Sequence, residues 1–364
     1  MAAVAIMVAV VLATRDGSAD PVSQVPTPAR AGPGQATGSY RNGVLPPAEA
    51  AALQARAVAD TLSRLTLEEK VAQVFLWGVD ADRADAAAVR RLRARALGGV
   101  AVFARNPARV GGLARALGPG GPSAPLVVAA EPAQLGATDA PPTLADARGL
   151  RRSGIDGVLA PGLDVGPPDN PAVGKRAVSA SPRVVARFAR AAVTAYGGAG
   201  VLAVPGPFPG LGSASQPVDE GPANVSLSAS ELEAKDAVPF RAAIAAGASA
   251  IQISNGLYVY DDFVTPGSLS REVMAGLLRT RLGFRGLVVS GDLTEAGVTA
   301  LKSPASAAVD SLNAGADLLY LSGPAADQQA AYDAVLQAVQ RKKVSQRRLD
   351  EAVTRVLVAK ATSG

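Results

Sequence analysis

"GSLSREVMAGLLRTRLGFRGLVVSGDL", Gly267–Leu293, holds one complete unit of the pattern that organises this chain. Its first half, Ser270–Leu282, spaces apolar residues as an amphipathic helix does. After the turn residues Gly283–Gly286 comes a short, β-branched, nearly continuous apolar run, Leu287–Ser290. A strand buried on both faces of a parallel sheet requires such a run. Seven more runs stand along the chain: Gln73–Gly78, Gly99–Phe103, Leu126–Ala130, Gly157–Ala160, Val201–Val204, Ala250–Ile253 and Asp317–Leu321. Helical stretches such as Pro182–Tyr196 and Ser230–Ala246 lie between them, with Ser at the N-cap positions of both. Eight βα units over about 300 residues predict a single-domain α/β (β/α)8 barrel. A doubly wound open sheet is the alternative, weakened because no G-x-G-x-x-G follows the first run.

Composition restricts the chemistry. The chain has 364 residues, 48% hydrophobic and only 4% aromatic, so its core is aliphatic. The net charge of +5 comes from basic residues scattered singly, which reads as a solvated surface rather than a nucleic-acid face. There is no Cys and no His. That removes a disulfide framework, a thiolate nucleophile, a Ser-His-Asp triad and the commonest metal ligands. Carboxylates, Lys, Tyr, Ser and the backbone remain for chemistry, and no cofactor is implied.

The N-terminus, "MAAVAIMVAVVLATRDGSAD", carries an apolar stretch over Ala2–Ala13. It is short for a membrane span but suits a secretory segment, with small residues at Gly17–Ala19 for cleavage. The positive region that normally precedes such a segment is missing, and an apolar tail is the alternative. The expected layout is residues 1–19 as signal peptide or apolar segment, 20–48 as a Pro/Gly/Ser-rich linker and 49–364 as the barrel. A secreted or cell-envelope location follows, with membrane contact only through an uncleaved N-terminal segment.

In a barrel of this type the active site forms at the C-terminal ends of the strands. Taken in order, these ends resemble the catalytic domain of family 3 glycoside hydrolases, in its single-domain β-N-acetylhexosaminidase branch. "LTLEEKVAQVFLWG", "GGVAVFARN", "GVLAPGLDV" with "DNPAVGKRAVSASPRVVARFA", "PFRAAIAAGASAIQIS" and the closing "VSQRRLDEAVTRVLVAKA" carry the resemblance, from about Leu65 to Ala361. It implies a retaining hydrolase that uses two carboxylates, one of them the nucleophile. In that branch the nucleophile is the first Asp of a Ser-Asp-Asp or Thr-Asp-Ala motif ending strand seven. The acid/base is a His in an Asp-Ser-His loop, preceded by a Lys-His-Phe-Pro-Gly-His-Gly segment that holds the sugar.

This chain departs from the pattern at each of those places. Gly291 stands at the nucleophile position, with Asp292 one residue further on, where alternation along a strand would turn it away from the pocket. Gly206, Pro207 and Leu211 replace the Lys and both His, while Phe208-Pro209-Gly210 and Gly212 keep the shape. Pro217-Val218-Asp219 falls roughly on the acid/base triplet, Ser254-Asn255 on an Ala-His, and Glu131 on the first acid of an Asp-Gln-Glu-Gly-Gly motif. The resulting expectation is a pseudoenzyme that binds a saccharide, such as a cell-wall fragment, or a protein partner. The alternative is an active β-N-acetylhexosaminidase-type glycosidase with a carboxylate pair rebuilt from Asp292, Glu131 or Asp219. Glu131, Asp164, Arg176, Phe208 and Asn255 are the candidate ligand-binding residues, although Asp164 reads first as a loop-ordering acid, and Arg176, which could pair with a ligand, reads first as an ion-pair partner of Asp164. Trp77 and Tyr258 could stack on a sugar, although Trp77 in the first run reads as core.

Overall fold

The computed structural model describes residues 47–104, 107–118, 124–130, 140–167, 169–174 and 177–363. The N-terminal segment, nearly all of the linker, Glu131 and Arg176 lie outside the described residues. The chain divides into two compact units, Met1–Ala57 and Val58–Gly364. The described part of the first is the start of helix Pro47–Arg64, and the barrel is built within the second.

Among the described residues there are ten strands: β1 (Phe75–Asp80), β2 (Gly99–Phe103), β3 (Leu126–Ala129), β4 (Gly157–Val158), β5 (Leu202–Ala203), β6 (Asn224–Val225), β7 (Ala250–Gln252), β8 (Leu257–Tyr258), β9 (Leu287–Asp292) and β10 (Leu318–Leu321). Eight of them form one parallel sheet in the order β5-β4-β3-β2-β1-β10-β9-β7, and each expected run supplies one. The seam between β5 and β7 is bridged just beyond β5, where Gln252 N donates to the Pro205 carbonyl and Phe208 N to the Gln252 carbonyl, both at 2.8 Å. The sheet is thus a nearly closed barrel, and the open-sheet alternative is excluded. The pair β6–β8 is an addition that the apolar pattern does not reveal, because two-residue strands carry no periodicity.

Alternation sorts the side chains of each strand. Leu126 and Val128 join Leu76, Ala101, Leu202, Val289 and Leu318 inside the barrel. Val127 and Ala129 face the surrounding helices. Helix Pro182–Gly198 begins where expected, with Pro at its first turn after Ser181. The expected single helix over Ser230–Ala246 is instead two, Ala229–Ala234 and Ala237–Ala245. Pro239 explains the break, since it has no N–H for the Lys235 carbonyl and its ring crowds that carbonyl. Ser228 caps the first piece through a reciprocal bond pair with Glu231. The interruption leaves Asp236 buried under the barrel mouth. Segment Ser270–Leu282 is helical over Glu272–Arg281, wound in the wider π form.

Polar groups close the opposite end. Lys360 is buried, and its Nζ donates to Gln73 Oε1 at 2.7 Å and to the Leu97 carbonyl at 3.0 Å. Burial pushes its pKa down to about 7, partly opposed by the charge of Asp156. Between pH 7 and the ordinary lysine value the unfolded chain binds more protons than the folded one, so stability rises with pH across that window. Comparing wild type with Lys360→Met by urea denaturation from pH 7 to 10 should isolate a slope of about 1 kcal/mol per pH unit in the wild type. Parallel profiles for the two proteins would show that Lys360 stays charged when folded.

Candidate functional site

A cavity of about 400 Å³ opens at the C-terminal mouth of the barrel. Its described wall is formed by strand ends and the loops that follow them: Gly162 and Asp164 after β4, Gly206, Pro207 and Leu211 after β5, Ser254 and Asn255 after β7, Gly291 and Asp292 in β9, and Tyr320 and Ser322 around the end of β10. Concave sites of this size suit a small ligand.

Gly291 is the pivot. Its N–H donates to Ser268 Oγ at 2.7 Å, which fixes the backbone. A Cβ placed on it would lie 2.7 Å from Asn255 Oδ1 and 2.8 Å from both Cγ and Nδ2. The Asn255 amide therefore fills the space that a side chain at position 291 would occupy. Asn255 is itself held, because Nδ2 donates to the Asp292 carbonyl and to Glu295 Oε2, each at 2.8 Å.

Asp292 borders the cavity rather than pointing away from it as alternation alone suggests. The register against β10 slips between Leu318↔Val289 and Tyr320↔Asp292, so β9 carries one extra residue at Ser290–Gly291. A bulge of this kind re-aims the residues after it. The carboxylate is already engaged: Oδ1 accepts from Thr294 N at 2.9 Å, Thr294 Oγ1 at 2.5 Å and Ser322 N at 3.1 Å. Asp292 thus ties two strand-end loops together.

The remaining candidates separate. Asp164 lies fully buried on the cavity wall and accepts from Leu211 N at 2.7 Å, so it shapes the loop after β5, as a loop-ordering acid does. Phe208 is a correction: it is fully buried, 5.0 Å from Phe240 in an edge-to-face pair, and does not line the cavity. The β5–β7 bridge from Phe208 to Ile253 continues the strand and turns the ring into the core. Asp219 is a second correction, being exposed in a turn while its neighbour Val218 faces the cavity. That turn is pinned by Gly297 N donating to the Val218 carbonyl at 2.8 Å. Trp77 is core against Phe75, and Tyr258 is buried with its hydroxyl on the Gly210 carbonyl, so neither offers a face to a sugar.

Two acids were not singled out from sequence. Glu295 lines the cavity and accepts from Asn255; the only signal for it was its place three residues beyond Asp292 in the same strand-end loop. Asp236 lies behind Gly210, where a Cβ on that glycine would meet its side chain at 3.1 Å. Burial, with the nearby charge of Asp164 adding to it, pushes Asp236 up to about 7 against the pull of Lys235. Among the described residues no cluster could hold a metal ion.

A sequence profile described as "Glycosyl hydrolase family 3 N terminal domain" matches residues 133–359. The chain belongs to that family. A beta-hexosaminidase from Xylella fastidiosa strain 9a5c is 38% identical over 175 residues, covering 48% of this chain and 52% of that protein. One from Xanthomonas oryzae pv. oryzae is 34% identical over 224 residues, covering 62% of each. The chain thus spans about half the length of the first of these curated relatives. Among solved structures, a family 3 beta-N-acetylglucosaminidase from Paenibacillus sp. FPU-7 superposes with a TM-score of 0.72 at 28% identity, over 82% of this chain and 63% of that one. A beta-N-acetylhexosaminidase from Beutenbergia cavernae gives 0.69 at 29% identity, over 82% of this chain and 99% of that one. The family 3 barrel is thereby shown, and the described cavity lies at the C-terminal ends of its strands.

Proposed function

We propose that this chain is a family 3 glycoside hydrolase barrel that binds a hexosaminide-type saccharide at its mouth and has lost the retaining hydrolytic step. The observation that carries the reading is Gly291, backed by the Asn255 amide where a nucleophile's side chain would stand. Without that carboxylate no glycosyl–enzyme bond forms at this position, and positioning does not replace a missing nucleophile. Val218, an apolar residue, faces the cavity in the loop matched to the acid/base. A concave cavity of this size fits a sugar ring better than a protein surface. Export, with a cell-wall fragment as ligand, belongs to the same proposal and rests on the apolar N-terminal segment; N-terminal sequencing of protein recovered outside the cell decides it.

A second reading is an active β-N-acetylhexosaminidase. It is favoured by the relatives, which are named beta-hexosaminidases, and by the carboxylates of Asp292 and Glu295 bordering the cavity. An activated aryl N-acetylglucosaminide separates the two, since such a substrate needs little help at its leaving oxygen. On the first reading the wild type releases aryl alcohol no faster than buffer. Turnover that vanishes in Asp292→Asn or Glu295→Gln, with the fold intact by circular dichroism, would establish the second.

A further inference from the structure

Alternation along β7 turns one polar side chain into an apolar barrel interior. Ala250 packs inside the barrel and Ile251 among the surrounding helices, so Gln252 points inward again. Its inward neighbours Leu202, Val204 and Val289 are all apolar. Gln252 ends its strand, lines the cavity and is only partly buried. A side chain directed into a barrel meets solvent through the mouth, so the exposed part of Gln252 faces the cavity. Its backbone is fixed by the two 2.8 Å bonds that close the seam, to the Pro205 carbonyl and from Phe208 N.

The carboxamide lies beside Gly206. A Cβ on that glycine would meet Gln252 Cβ at 2.8 Å, the Gln252 carbonyl at 3.1 Å and Oε1 at 3.3 Å. The wall at the position matched to the family's sugar-holding lysine therefore presents the Gln252 amide instead. That amide is barely engaged within the protein. Nε2 reaches the Ser290 carbonyl only at 3.5 Å, the long limit of a hydrogen bond, and among the described residues nothing donates to Oε1. The other carboxamide on the wall, Asn255, is committed through Nδ2 to the Asp292 carbonyl and Glu295.

We propose that Gln252 anchors the bound sugar, its carboxamide holding two neighbouring hydroxyls of a neutral ring. A carboxamide offers an acceptor on one atom and donors on the next, and a hydroxyl can answer either. A ligand that supplies both gains from a polar group that the apolar interior leaves without partners. A ring that lacks one of the two hydroxyls gives up part of that gain. The inference rests on the reading that the cavity binds a saccharide, and it names the residue that recognises it.

Calorimetric titration of the full chain with the β-1,4-linked N-acetylglucosamine disaccharide, and with analogues each lacking one hydroxyl of its terminal ring, tests it. Gln252→Leu should weaken binding of the disaccharide about tenfold, the scale of one or two neutral hydrogen bonds. At least one analogue should bind the wild type several-fold more weakly than the parent, yet bind Gln252→Leu as well as the parent does. Unchanged affinity in the folded variant overturns the role of Gln252 and leaves the saccharide reading standing. Failure of the wild type to bind the disaccharide removes both. Weaker binding by the variant, with every analogue losing equally in the two proteins, overturns the hydrogen bonds and leaves only a packing role. Should Gln252→Leu fail to fold, Gln252→Met, unbranched and of similar length, is read by the same criteria. In the wild type alone, equal binding of the parent and all the analogues also overturns the proposal.

Discussion

Asp317→Ala should destabilise the barrel by about 3–5 kcal/mol, the scale for removing one partner from a buried charge network. Asp317 stands at the start of β10, fully buried at the end of the barrel opposite the cavity. Its Oδ2 accepts from Arg279 at 2.8 Å and from Val288 N at 3.0 Å. Its Oδ1 accepts from Arg348 at 2.8 Å and Arg355 at 2.9 Å. One carboxylate thus joins the starts of two adjacent strands to the π-helical segment Glu272–Arg281 and to helix Gln346–Thr362. Alanine would leave the guanidinium of Arg279, mostly shielded from water, without its carboxylate partner, and Arg348 with only Glu351 at 3.8 Å. Urea denaturation at neutral pH measures the loss, and the midpoint should fall with little change in slope. A loss below about 1 kcal/mol, typical of a surface pair, would show that water compensates the arginines.

Asp317 also shows what the sequence does and does not disclose. Its strand was legible because a buried parallel strand leaves an unbroken apolar run, and the same holds for the other seven. Its network was not, since Arg279, Arg348 and Arg355 are brought together only by the closing of the barrel. The site divides in the same way. Gly291 and Asn255 lie where strand-end counting puts them, because position along a parallel strand translates directly into height in the barrel. Phe208 and Asp219 were misplaced because height does not fix direction: an extra bridge turned one ring into the core, and a turn turned one carboxylate to solvent. Asp292 was misjudged for a related reason, since a one-residue bulge resets the alternation and nothing in "VVSGDL" marks it. Glu295 acquires meaning only through the hydrogen bond from Asn255, a residue 40 positions earlier.

Gly291→Asp, the substitution that would place a carboxylate at the proposed nucleophile position, should fail by itself to produce a hydrolase and should cost about 1–3 kcal/mol of stability through overpacking. The new Cβ would fall under 3.0 Å from three atoms of the Asn255 side chain. That side chain cannot step aside freely, because it is buried and bound to the Asp292 carbonyl and to Glu295. The two positions are therefore coupled: the Asn255 amide fills the space that a side chain at 291 would need. In an Asn255→Ala background the same Gly291→Asp change should cost less by about 1–2 kcal/mol, a coupling normal for residues in contact. Thermal or urea melts of the four proteins give that number directly. Only the double variant should show any release of aryl alcohol from an activated N-acetylglucosaminide. That release should stay faint, because Val218 supplies no proton and Gly206, Pro207 and Leu211 supply no side-chain donor to hold the sugar at the geometry displacement demands. An equal cost of Gly291→Asp in both backgrounds would show that Asn255 does not occupy the nucleophile's place. Turnover by the single variant matching that of the double would mean that the amide yields readily and that the site has kept more of its catalytic shape than its packing implies.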